Sequence, residues 1–159
     1  MTTTLNTKRI LVCDDEDDIL DMMSHALKRA GYLISTAHEH REFMERFREQ
    51  TPDLIILDLY MPEHDGFWIA EHLPCRQRIP IIFITAHDRP LYRLCAPIVG
   101  AEDYIAKPFD PDVLLTRIER ALNLKPRPSS TRFLEAIGEG GSHDRFNHQR
   151  AQGTPREIQ

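Results

Sequence analysis

The chain has 159 residues, of which 41% are hydrophobic and 28% charged, and its net charge is -5 at neutral pH. That suits one ordinary soluble domain with some tail to spare. It argues against a nucleic-acid-binding face, which shows a basic patch, and no window approaches the length of a membrane span. Three widely spaced cysteines, Cys13, Cys75 and Cys95, are an odd number without zinc spacing, so reduced thiols in a cytosol are expected. The N-terminus has no apolar core of signal-peptide length, and a cytoplasmic location follows as the expectation.

Apolar runs of strand length recur along the chain: "RILVCD" (9–14), "YLISTA" (32–37), "DLIILDL" (53–59), "PIIFIT" (80–85) and "DYIA" (103–106). The first, third and fourth are nearly continuous in Ile, Leu and Val, as strands buried on both faces are. Between the first two, Ile19, Met23, Ala26, Leu27 and Ala30 keep the spacing of one helix face, and Gly31 supplies a stop. Phe43, Met44 and Phe47 mark a second helix, residues 67–73 a short third, and Leu114, Ile118, Ala121 and Leu122 the last. Pro90 suits the first turn of a fourth helix. Pro97 does not suit its interior, because proline lacks an N–H and clashes with the preceding turn; the spacing predicts a helix that is short or kinked rather than unbroken over 89–99. Alternating strands and helices imply an α/β fold with a parallel sheet covered on both faces and right-handed crossovers. From Lys125 the composition changes. "KPRPSSTR" reads as a linker, and only seven of the last 35 residues are apolar. The foldable domain is therefore expected over 1–124 and a disordered linker and tail over 125–159.

In an open parallel sheet, ligands bind beyond the carboxyl ends of the strands. The first strand ends in Asp14 and Asp15, the third in Asp58 and the fourth in Thr85, and the fifth leads into Lys107 and Pro108. Three carboxylates on one edge call for a compensating cation, and a hard divalent ion with oxygen ligands fits. Magnesium takes only one or two carboxylates, which leaves one as a possible nucleophile. Asp58 ends the most buried run, and aspartyl-phosphate is a known covalent intermediate. Thr85 can donate to a phosphoryl oxygen, and Lys107 can pair with another as a point charge.

"CDDE", "LDLYMPEHDG", "FITAHD" and "YIAKPFDP" occur in that order, with 27 residues from Asp58 to Thr85 and 22 from Thr85 to Lys107. Together they resemble the receiver domain of two-component response regulators, over about residues 8–124. The resemblance implies a flavodoxin-like doubly wound sheet of five strands in order 2-1-3-4-5. It implies phosphorylation of Asp58 by a sensor histidine kinase or histidine phosphotransfer protein, with magnesium held by Asp14, Asp15, Asp58 and the backbone carbonyl of Tyr60, Asp15 being the more direct ligand. Thr85 and Tyr104 would be the switch residues, Tyr104 rotating inward, and Lys107 would contact the phosphate before a cis Lys107–Pro108 bond. Tyr60 and His87 would flank the path of hydrolytic water and set the phosphoryl lifetime. No enzymatic turnover beyond the chain's own phosphorylation and dephosphorylation is implied.

The plainer readings are these. Asp17 and Asp18 sit in a first helical turn, where the dipole favours acids, and Glu16 stands at the junction with a weaker claim on either role. Trp68 reads as core, Cys13 as a small buried hydrophobe, and His25, His38, His40, His64 and His72 as surface. The leading function is a stand-alone switch that binds an unidentified protein target, with no nucleic acid or membrane contacted by this chain. The alternative is the receiver part of a DNA-binding transcription regulator whose output domain is absent, since the residues after Arg132 are too few for a packed DNA-binding module. A haloacid-dehalogenase-like phosphatase would need an Asp at position 60, and a flavin-binding relative would not place acids where the phosphate sits.

Overall fold

The computed structural model describes residues 7–74 and 79–123. Among them the chain forms, in order, β1 (Arg9–Cys13), α1 (Asp17–Arg29), β2 (Leu33–Ala37), α2 (His40–Glu49), β3 (Leu54–Asp58), α3 (Gly66–His72), β4 (Ile81–Thr85), α4 (Pro90–Cys95), β5 (Asp103–Ala106) and α5 (Pro111–Asn123). The strands make one parallel sheet in the order β2-β1-β3-β4-β5. Strand ends fall within one residue of the sequence reading.

Every residue of β3 and β4 is buried, which explains their uninterrupted apolar runs. Alternate side chains serve the two faces. Leu11, Ile55, Leu57, Ile81 and Phe83 pack with Phe43 and Phe47 of α2 and Ile69 of α3. Ile10, Val12, Leu54, Ile56, Ile82 and Ile84 pack with α1 and α5. Each such fully buried side chain contributes about 1.5–3 kcal/mol of transfer free energy.

On α1 the buried residues are Leu20, Met23 and Leu27. This corrects the expected stripe, because Ala30 is exposed and Leu20 replaces it. Gly31 ends the helix at φ +93, with its N–H bonded to the Lys28 carbonyl. The fourth helix stops at Cys95, two residues before Pro97, and buries none of its own residues. Cys75 and the segment 125–159 lie outside the described residues. No described helix is long and apolar enough to cross a membrane.

Candidate functional site

Strand order reverses between the neighbours β1 and β3, so the crevice beyond their carboxyl ends is the topological switch point. Asp14 follows β1 and Asp58 closes β3, which puts two acids on adjacent strands at that crevice. Thr85 closes β4, and Lys107 follows β5. Asp14, Asp58 and Thr85 are the buried polar residues among those described.

The same local device ends three of these strands. Asp14 Oδ1 accepts from the Glu16 N–H at 2.9 Å, Asp58 Oδ1 from the Tyr60 N–H at 2.9 Å, and Thr85 Oγ1 from the His87 N–H at 3.1 Å. A short oxygen side chain that bonds the backbone two residues on turns the chain out of the sheet. In both aspartates this fixes one oxygen and leaves the other, Oδ2, facing the crevice. The Lys107 ammonium meets those oxygens at 2.7 Å (Asp14) and 3.1 Å (Asp58), and Glu16 Oε1 at 2.9 Å. The lysine side chain is only 7% exposed. The Lys107–Pro108 bond is cis.

Glycine is required at Gly66. A Cβ there would lie 2.6 Å from the Asp58 carbonyl oxygen, so only glycine lets α3 start against the end of β3. Asp65 caps that helix by accepting from the Trp68 N–H at 2.8 Å.

Burial dominates the electrostatics. It raises the Asp14 carboxyl to about 6, against the pull of Lys107 and the Glu16 N–H. It raises Asp58 as well, opposed by the Tyr60 N–H and Lys107. For Lys107, burial alone would lower the pKa, but pairing with Asp14 and Glu16 outweighs it, and the ammonium is held charged. One ammonium thus pairs with three carboxylates, and oxygens of Asp14, Asp15, Glu16 and Asp58 lie within 4.8 Å of one another. Asp14 Oδ2 is buried with no aligned hydrogen bond, although the ammonium is close. Oxygens about 2.1 Å from an octahedral magnesium sit about 3–4 Å apart. The acidic cluster therefore has the donor chemistry for a small hard cation, which would share its oxygens with the Lys107 ammonium.

The structure brings Asp14, Asp15, Asp58 and Lys107 together as expected. Thr85 is buried at the end of the strand next to β3. Tyr60 and His87 meet, ring centroids 4.4 Å apart, and Tyr60 is 58% exposed. The Tyr104 hydroxyl is buried. Glu16 belongs to the site more firmly than its weak claim suggested; it caps no turn with its side chain and reaches Lys107 instead. Cys13 is fully buried beside Met61, and burial pushes its thiol far up.

The surface assignment of His40 and His64 is corrected, since both are half-buried around Trp68. His64 and His72 each stack on the indole at 3.9 Å, and the His40 ring meets it at right angles with centroids 4.8 Å apart. Two imidazoles that close cannot share one indole face, so they lie on opposite faces. The spacing of His64, Trp68 and His72 at four-residue intervals was the available signal.

The doubly wound sheet and the acids at its switch point place the protein in the flavodoxin-like class, with the site at the end of β1 and β3. Comparison with known proteins narrows this. The family described as "Response regulator receiver domain" matches residues 10–119, and the chain belongs to it: it is a receiver domain of two-component response regulators. It is similar to the "Probable transcriptional regulator ycf27" of Cyanophora paradoxa, 36% identical over 79% of this chain and 52% of that one. It is also similar to the "Alkaline phosphatase synthesis transcriptional regulatory protein PhoP" of Bacillus subtilis, 34% identical over 72% of this chain and 48% of that one. The chain spans about half the length of these curated relatives. Among solved structures, the Vibrio cholerae chemotaxis protein CheY4 superposes with a TM-score of 0.68 at 31% identity, over 72% of this chain and 98% of that one. The Thermotoga maritima response regulator DrrB gives 0.65 at 29% identity, over 72% and 52% respectively. The family implies interaction with histidine kinases.

Proposed function

We propose that this receiver accepts a phosphoryl group on Asp58 from the phosphohistidine of a sensor kinase or a histidine phosphotransfer protein. The observation that carries this is the Asp58 carboxylate itself. It is buried at the switch point, held through Oδ1 by the Tyr60 N–H, and set 3.1 Å from the Lys107 ammonium through Oδ2. An Asp58 oxygen forms the new O–P bond as the histidine N–P bond breaks, and the electron pair leaves on the imidazole nitrogen. Phosphoryl transfer of this kind needs positioning and charge neutralisation more than covalent machinery. Lys107 supplies a fixed positive charge beside the acceptor.

Asp14, Asp15, Asp58 and the Tyr60 carbonyl are the groups to hold magnesium, which when bound neutralises charge on the transferring phosphoryl oxygens. Glu16 adds a fourth carboxylate to that neighbourhood. Thr85 and Tyr104 act as the switch pair. Tyr60 and His87, in contact over the site, set the phosphoryl lifetime. If Tyr60→Ala and His87→Ala both dephosphorylate within about twofold of wild type, that role is wrong.

The output is binding of a protein partner in the cytoplasm, not turnover of a substrate. One reading is a stand-alone switch, like the chemotaxis protein CheY4 to which the domain is similar. A second reading is favoured by the curated relatives, named as transcriptional regulators and matched over about half their length: the receiver part of a DNA-binding regulator. The test of the acceptor is labelling by acetyl phosphate or a cognate kinase with magnesium. Label is expected on the wild type and lost in Asp58→Asn. Label retained in that variant would overturn the assignment.

A further inference from the structure

Arg93, on α4, touches the surroundings of both proposed switch residues. Its guanidinium makes a two-bond pair with Asp88, Nε to Oδ1 at 2.7 Å and a second N–H to Oδ2. Asp88 lies three residues past Thr85, in the loop that carries the threonine into α4. The same guanidinium sits 5.7 Å from the centroid of the Tyr104 ring. A planar guanidinium can bond a carboxylate in its plane and present its face to an aromatic ring, which an ammonium cannot.

Two observations make this contact more than a surface ion pair. First, the Tyr104 ring packs against the core, yet its hydroxyl is buried with no well-aligned hydrogen bond, the Arg89 backbone N–H being its nearby donor. Burying a hydroxyl in this way is unfavourable, so the inward position needs compensation, and the cation over the ring supplies some. Second, α4 buries none of its own residues and ends before Pro97. A helix without a buried stripe is placed by individual side-chain links. Here those links are the Arg93 contacts and the Tyr92–Phe67 ring contact at 5.8 Å.

We propose that Arg93 is a positioning residue that holds Tyr104 inward and, through Asp88, ties it to the loop that follows Thr85. Movement of that loop carries Arg93 with it and alters the hold on Tyr104. This rests on the reading of Thr85 and Tyr104 as a switch pair, but its test needs no phosphoryl group.

The experiment is fluorine NMR of the full chain labelled with fluorotyrosine, the Tyr104 signal assigned with Tyr104→Phe and its exposure read from the solvent isotope shift. An exposed cation–π contact shifts a two-position equilibrium by about two- to fivefold. Arg93→Gln and Asp88→Ala should each raise the outward population of Tyr104 by that factor. The double variant should do no more than either alone, and Arg93→Lys, which loses the planar fork, should not restore the wild-type value. Melting temperatures of these exposed-site variants show that the fold is intact. An unchanged Tyr104 signal in Arg93→Gln, additive effects in the double variant, or full restoration by lysine would overturn the proposal. Failure of acetyl phosphate to label Asp58 would instead overturn the proposed function and leave this measurement standing.

Discussion

Asp14→Asn should stabilise the metal-free protein at neutral pH. The Asp14 carboxyl has an ordinary value of 3.8 in the unfolded chain and is raised to about 6 in the fold, burial being the largest cause. The folded protein therefore binds this proton more tightly than the unfolded chain does. The stability associated with that proton is fully present below 3.8 and is lost as pH rises through about 6. One pKa unit corresponds to about 1.4 kcal/mol, so the two-unit rise sets an upper bound of about 3 kcal/mol, and water at the crevice reduces the expected figure to about 2 kcal/mol. Asparagine has the shape of the neutral acid and no charge to desolvate. The assay is urea unfolding in EDTA at about pH 7 and about pH 4, with the slope checked for constancy. The variant should gain about 2 kcal/mol at the higher pH and almost nothing at the lower. Adding magnesium should erase the advantage, because a cation that binds only the fold stabilises the wild type by mass action. A variant less stable than wild type near neutrality in EDTA, or a difference of equal size at both pH values, would refute the reasoning.

Other consequences follow from the same geometry. Lys107→Met removes the ammonium from among three paired carboxylates and should cost about 2–4 kcal/mol near neutral pH; the loss should shrink in acid, where Asp14 takes up its proton, and urea midpoints at two pH values check this. Gly66→Ala places a Cβ 2.6 Å from backbone oxygen of Asp58, so a loss of about 1–3 kcal/mol is expected, read by thermal melting; an unchanged melting temperature would show that α3 can move freely from β3. Trp68→Ala removes the indole between His64 and His72 and should cost about 2 kcal/mol. That unfolding must be followed by circular dichroism, since Trp68 is the chain's single tryptophan.

Much of the fold was legible because it depends on periodicity. Strands buried on both faces show as unbroken apolar runs, and β3 and β4 are buried at every position. The short α4 was legible because Pro97 has a direct steric consequence. The face of α1 was misjudged by a small rotation, since Ala30 satisfies the spacing but the helix is already ending against Gly31. Asp14, Asp58, Thr85 and Lys107 were legible because strand ends can be counted and a parallel topology gathers them. Glu16 was not, because one acid within a run of five has no distinguishing mark; only the position of Lys107 selects it. Arg93 depends on which way a side chain turns off a short helix, and the linear pattern does not encode that; the four-residue spacing of His64, Trp68 and His72 is in the sequence, but spacing alone does not show that the rings stack.

The central claim is that Asp58 is the phosphoryl acceptor. Intact-mass measurement after acetyl phosphate and magnesium, followed by peptide mapping, tests it most directly. The account predicts one added phosphoryl group, located on the peptide that carries Asp58, absent in Asp58→Asn and absent when EDTA replaces magnesium. A phosphoryl group on any other residue, or an unmodified wild type under conditions that label a known receiver, would contradict it.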